Sequence, residues 1–227
     1  MTTAGIQVIS DHGSQQITSE TSNLKLIGRF WPHETKVSPH WETAPARESV
    51  YENRVSFFSP SYQAPLVFFP NDQGPCWLSG ITDDGGGNFT VYWTSLRMGT
   101  SVVTYGPFHG SSDRGILEVY KSDGSLAFST GSKFLKIESI FGPQTEISTW
   151  VGLGAKAVAA STYPSSFFIF PSEPAYWNRY MGWVFIDNGQ LKTKATNLHS
   201  TISAPILSAM GPNLSPRYYT VIDISGI

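Results

Sequence analysis

The chain has 227 residues, a formal net charge of -2, and only 14% charged residues against 14% aromatic ones. Average globular domains carry about 25% charge, so an electrostatic partner such as nucleic acid or an anionic membrane is not expected from the overall balance. A single cysteine, Cys76, rules out an intrachain disulfide and suits folding in a reducing compartment.

The N-terminal segment MTTAGIQVIS has no basic region followed by an apolar run, so no signal peptide is expected. No run of about 18 apolar residues is present, and no membrane span is expected. Charge is slightly uneven: residues 1–113 hold 6 basic and 10 acidic side chains, and residues 114–227 hold 9 and 7.

In chain order, short β-branched and aromatic runs alternate with Gly, Pro, Asn, Asp and Ser, the signature of an all-β fold. Predicted strands begin at Ile6–Ile9, Gln16–Ser19 and Leu24–Ile27. The stretch from Phe30 to Asn53 lacks a clean alternation and reads as a long irregular loop, a place where function often sits. Strands resume at Ser56–Phe58, Leu66–Phe69, Phe89–Thr94 and Val102–Tyr105.

Beyond a polar linker, His109–Asp113, the second half gives Leu117–Tyr120, Leu126–Ser129, Phe134–Ile137, Phe167–Phe170, Trp183–Ile186, Leu191–Thr193 and Tyr218–Ile224. The Ala-rich stretch Gly154–Ala160 is the best helix candidate. Tight turns are expected at Asp11-His12-Gly13, Asp123-Gly124 and Asn188-Gly189, where Gly, Asn and Asp tolerate positive φ.

Two internal echoes organise the chain. QVISDHGSQQITSETSNLKLI (7–27) overlies EVYKSDGSLAFSTGSKFLKIE (118–138) without a gap, a shift of 111 residues that sets Val8 on Val119, Gly13 on Gly124 and Leu24 on Leu135. PLVFFPND (65–72) echoes SFFIFPSE (166–173), and each is followed by a tryptophan, Trp77 and Trp177. A proline straight after an aromatic strand is expected to end it. The expected fold is therefore all-β: two tandem related β-sandwich or β-barrel-like modules, residues 1–110 and 114–227, with few or no helices.

The segments GILEVYKSDGSLAFS (115–129) and GIQVISDHG (5–13) share the pattern Gly, apolar, x, Val, then a glycine turn, a short strand and Ser. This pattern resembles the opening of small tail tip and baseplate proteins of tailed bacteriophages, although here it occurs twice. The resemblance covers about a fifth of the chain. It implies a non-enzymatic virion component assembled in the host cytoplasm, with other tail proteins as partners and a homo-oligomeric arrangement. It carries over no catalytic residue.

Chemical motifs are few. His33 and His40 beside Trp31 and Trp41 lack the further ligands that zinc requires. Asp83-Asp84-Gly85-Gly86-Gly87-Asn88 offers oxygens but not EF-hand spacing, and reads as a hairpin tip. Gly152-Leu-Gly154-Ala-Lys-Ala157 mimics a dinucleotide fingerprint without the βαβ context it needs.

No G-x-S-x-G elbow occurs, and no carboxylate pair stands out. The expectation is no catalytic group, no metal and no cofactor. Trp77, Trp93 and Trp177 are assigned to cores. Trp31, His33, His40 and Trp41 are the candidate contacts for a partner or a host-surface glycan. The alternative functions are a carbohydrate-binding module and an envelope-polysaccharide-degrading enzyme.

Overall fold

The computed structural model describes residues 7–9, 15–18, 23–43, 49–107, 115–120, 124, 126–144, 147–160, 169–173, 176–200 and 217–227. The chain is all-β, and no helix occurs among these residues. The linker at 109–113 and the turn at 11–13 lie outside the described residues.

Two small hairpins stand apart from the main sheets: β1 (Gln7–Ile9) with β2 (Gln15–Thr18), and β10 (Glu118–Tyr120) with β11 (Leu126–Ser129). Their registers agree pair for pair at the 111-residue shift. Val8 faces Ile17 as Val119 faces Phe128, and both hairpins have their irregularity at the next residue. Gly115, the glycine of the repeated pattern, has a steric reason to be glycine: a Cβ there would collide with Thr130 and the Gly131 backbone.

The first large sheet runs β12 (Lys136–Gln144), β18 (Arg217–Asp223), β14 (Lys156–Ala160), β6 (Leu66–Pro70), β9 (Val102–Pro107), β3 (Leu24–Phe30). Three strands come from each half of the chain. They meet at an antiparallel seam where Ala157 and Val158 face Pro70 and Phe69.

The far edges also meet. Lys25 on β3 bridges Phe134, Leu26 N donates to Lys133 O and Leu135 N to Leu24 O, both at 2.8 Å. Residues 133–135 run directly into β12, so the six strands close on themselves. Leu24 and Leu135, equivalent in the sequence repeat, lie opposite each other at this closure.

The second sheet runs β13 (Ser148–Trp150), β17 (Gln190–Ser200), β4 (Glu34–Thr43), β5 (Ser49–Phe58), β8 (Asn88–Ser95), β7 (Cys76–Gly85), β16 (Tyr176–Asp187), β15 (Ile169–Glu173). Because β16 and β17 are also hairpin partners, β4, β5, β8, β7, β16 and β17 form a second closed circuit of pairings. Here too the halves touch antiparallel, at Val184 and Cys76.

Strand order reads alike outward from each seam: β6-β9-β3 against β14-β18-β12, and β7-β8-β5 against β16-β17-β13. The hairpin tips match in detail. Phe58 faces Asn88 and Trp150 faces Gln190. Ser59 N donates to Gly87 O, and Val151 N donates to Gly189 O, both at 2.8 Å.

The apolar clusters follow this plan. One lies between β5, β7, β8 and one face of β6 and β9, around Val55, Phe57, Phe69, Val91 and Trp93. A second lies between β16, β17 and one face of β14 and β18, around Val158, Val184, Leu191 and Val221. A third is shared: Phe68, Val103 and Tyr105 of the first half pack with Ala157, Ile222 and Ile224 of the second, and with Leu24 and Leu135. Burial of aliphatic and aromatic side chains of this size contributes about 1.5–3 kcal/mol each, so neither half completes its core alone.

Two sequence expectations are corrected. Gly154–Ala160 is not helical; Lys156–Ala160 is β14. Its alanines are small because Ala157 and Ala159 pack in the shared cluster against bulky neighbours such as Phe68 and Tyr105. Within the stretch 30–53, the described residues 34–43 and 49–53 are not irregular loop but lie in two long strands, β4 and β5; residues 44–48 lie outside the described part. Its alternation was hidden because β4 opens with Glu34, Thr35 and Lys36, polar on both faces.

Proline placement is mixed. Pro70 ends β6, whereas Pro171 lies within β15, next to a register irregularity.

Candidate functional site

On β5, alternate residues Val55 and Phe57 face the first cluster. The intervening residues Val50, Glu52, Arg54, Ser56 and Phe58 therefore lie on the opposite face. This face changes character along the strand. At one end Val50 packs with Trp77 and Trp183, all buried, inside the circuit formed by their strands. Glu52 is half-buried, and Arg54, Ser56 and Phe58 are exposed. The face thus opens from a plugged end onto solvent.

The open part is crossed by rows set by strand register. Glu34 on β4 faces Arg54 on β5, Arg54 faces Tyr92 on β8, and Tyr92 faces Gly80 on β7. A Cβ on Gly80 would meet nothing within 4 Å, so one flank of Tyr92, which is 36% exposed, is open. In the next row Ser56 faces Thr90 and Thr90 faces Thr82; beyond it Phe58 faces Asn88.

Polar groups here are already oriented. The Glu34 carboxylate bridges Lys36 Nζ and Arg54 Nη2, each at 2.5 Å. The hydrogen bond from Lys36, opposed by partial desolvation and helped by the Arg54 charge, holds its carboxyl below the usual range. Thr90 Oγ1 donates to Asp84 Oδ2 at 2.6 Å, and so accepts from Ser56 Oγ at 2.7 Å. A cavity of about 400 Å³ opens among His33, Glu34, Arg54, Val55 and Ser56.

Of the four residues singled out from the sequence, the structure brings one to this cavity. His33 lines it, and its backbone N–H donates to Arg54 O at 3.0 Å. Trp31 sits two residues earlier, 57% exposed, with the Arg29 guanidinium 5.2 Å from its ring centroid. Arg29 is fixed by Asp72 at 3.1 Å and by Ser101 Oγ at 2.9 Å. Burial raises the Asp72 carboxyl, but hydrogen bonds from Gln73 and Arg29 outweigh it and leave the group below its ordinary value.

The backbone of His40 and Trp41 lies in β4, and their side chains lie outside the described part. Trp77 and Trp93 are buried as expected, the latter donating Nε1–H to Thr100 at 2.8 Å. Trp177 lies in β16, with its side chain outside the described part.

Sequence reasoning missed Arg54, Ser56, Phe58 and Tyr92 as site residues, and read Asp84 as part of the Asp83–Asn88 hairpin tip. The alternation Arg54-Val55-Ser56-Phe57-Phe58 was a usable signal, once read as a strand with one wet face.

Among the described residues, no group of three or more His, Cys, Asp or Glu is placed to hold a metal ion. No described helix is long and apolar enough to cross a membrane. The chain matches no protein-family model, no curated protein and no solved structure.

Proposed function

We propose that the chain is a non-catalytic structural component of a bacteriophage virion, placed at the tail tip or baseplate and working through protein–protein contacts. The observation that carries this reading is the pair of matched hairpins, β1–β2 and β10–β11, which bear the tail-protein pattern and stand outside the two main sheets. In the second hairpin region Ile116 is fully exposed, and Leu117 and Tyr120 are about half exposed. Large apolar side chains exposed within a few residues of one another favour a contact role for this hairpin.

The matched registers and the strand order read outward from each seam support an origin by tandem duplication. A body with two equivalent hairpins offers neighbouring subunits two equivalent grips, which suits a symmetric homo-oligomer.

Quantitative mass spectrometry of purified phage particles tests the proposal. A reproducible copy number equal to a small multiple of the tail symmetry is expected. Absence from particles, with abundant protein in the lysate, would overturn it.

A further inference from the structure

We propose that the open face of β4, β5, β8 and β7 binds a neutral oligosaccharide. This goes beyond the structural role and does not depend on it. The face combines the two things a sugar chain requires. Pyranose rings present apolar C–H faces, which pack on aromatic side chains, and hydroxyls, which need both donors and acceptors.

Tyr92, Phe58 and Tyr62 supply exposed rings. Arg54 and Asn88 supply donors, and Glu34, Asp84 and the lone pairs of Ser56 Oγ, whose proton goes to Thr90, supply acceptors. From Arg54 to Phe58 the strip is about 13 Å long at roughly 3.3 Å per residue, enough for more than one sugar ring.

The far end of the strip is built under strain. Tyr62 adopts φ 56, a left-handed conformation unfavourable for a bulky residue. It meets Phe58 edge-on, with ring centroids 5.8 Å apart. Both rings rest on Gly87 (φ 82), where a Cβ would lie 2.9 Å from Phe58 and 3.0 Å from Tyr62. Such outliers persist only where the surroundings enforce them, and they cluster at binding sites. Here the strain holds an aromatic pair toward solvent, although burying it would be favourable.

Charge argues for a neutral ligand. Lys36 and Arg54 are offset by Glu34, Asp84 and the half-buried Glu52, so an anionic ligand would meet no net positive charge. An ionic ligand of either sign would have to compete with the ion pairs that Glu34 already forms. A protein partner would have to bury this charged cluster, and desolvating such a cluster is costly. A sugar leaves it hydrated and replaces water with hydroxyls.

The test is retardation of the intact protein in native gels cast with dextran, galactomannan, xylan or a purified bacterial O-polysaccharide. At least one polymer is expected to retard the protein, with little change on raising salt, since screening acts on charges. Tyr92→Ala and Phe58→Ala are expected to weaken the interaction at least about tenfold. Trp150→Ala, at a more exposed aromatic on the other half, leaves it unchanged.

Both test residues are exposed. Tyr92→Phe, which keeps the ring, retains binding and guards against a folding artefact. Retardation by none of the polymers, retardation that survives both alanine variants, or retardation abolished by salt would overturn the proposal.

Discussion

Phe68→Ala probes the shared core directly. Phe68 is 2% exposed on β6 and packs edge-on against Tyr105, with ring centroids 5.9 Å apart. Its cluster crosses the seam to Ala157, Ile222 and Ile224. Removing a buried phenyl ring costs about 3–5 kcal/mol, from lost transfer energy plus the cavity left behind. That is a large share of the roughly 5–15 kcal/mol that holds a typical protein folded.

The loss should fall on both halves at once, because the cavity opens in a cluster that both build. Hydrogen exchange read by mass spectrometry resolves it: amides of β14 and β18 should lose protection together with those of β6 and β9. Ile140→Ala, at a 61% exposed position, serves as control and is expected to change stability by no more than about 0.5 kcal/mol. Lost protection confined to residues 23–107, with the second half unchanged, would refute a shared core.

Three further outcomes are expected. Burial drives the Cys76 thiol far above its ordinary pKa, so it should resist thiol reagents at pH 8 in the native protein and react fully in denaturant. Asp223 accepts hydrogen bonds from Lys136 and from Ser225 N, which hold its folded pKa well below the unfolded value. Its stabilisation is therefore complete above about pH 4–5 and is lost as pH falls through the folded value; Asp223→Asn should be less stable at pH 7 and show a shallower acid transition. Gly189→Ala should lower thermal stability by roughly 2 kcal/mol or more, since φ is 74 and the new Cβ would lie 2.8 Å from Trp150, whereas Gly86→Ala, at φ 62 with only an ordinary contact to Asn88 at 3.8 Å, should cost only about 1 kcal/mol.

The local chemistry of the fold was legible in the sequence. Asn188-Gly189 forms the expected hairpin turn, with φ of 47 and 74, and the aligned segments at 7–18 and 118–129 form hairpins of one register. What the sequence hid is non-local. Nothing in Leu24 or Leu135 announces that they face each other, because that pairing depends on how two halves close, not on local preference.

Ala157 and Ala159 were misread because helix propensity favours alanine, while here tertiary packing selects it for size. Trp31 and His33 stood out as unusual residues. Arg54, Ser56 and Tyr92 did not, because a strand's wet face resembles any solvated surface until its neighbours are known.

The two halves close into one body along β3 and the residues that lead into β12. Lys25 and Phe134 form a non-hydrogen-bonded antiparallel pair there, and such pairs bring Cα atoms to about 4.5 Å, within disulfide range. Mild oxidation of the Lys25→Cys/Phe134→Cys variant should give an intramolecular disulfide that raises the denaturation midpoint, while the offset Lys25→Cys/Lys136→Cys pair stays largely reduced. Failure of the first pair to cross-link within one chain, or equal cross-linking of both, would contradict the closure.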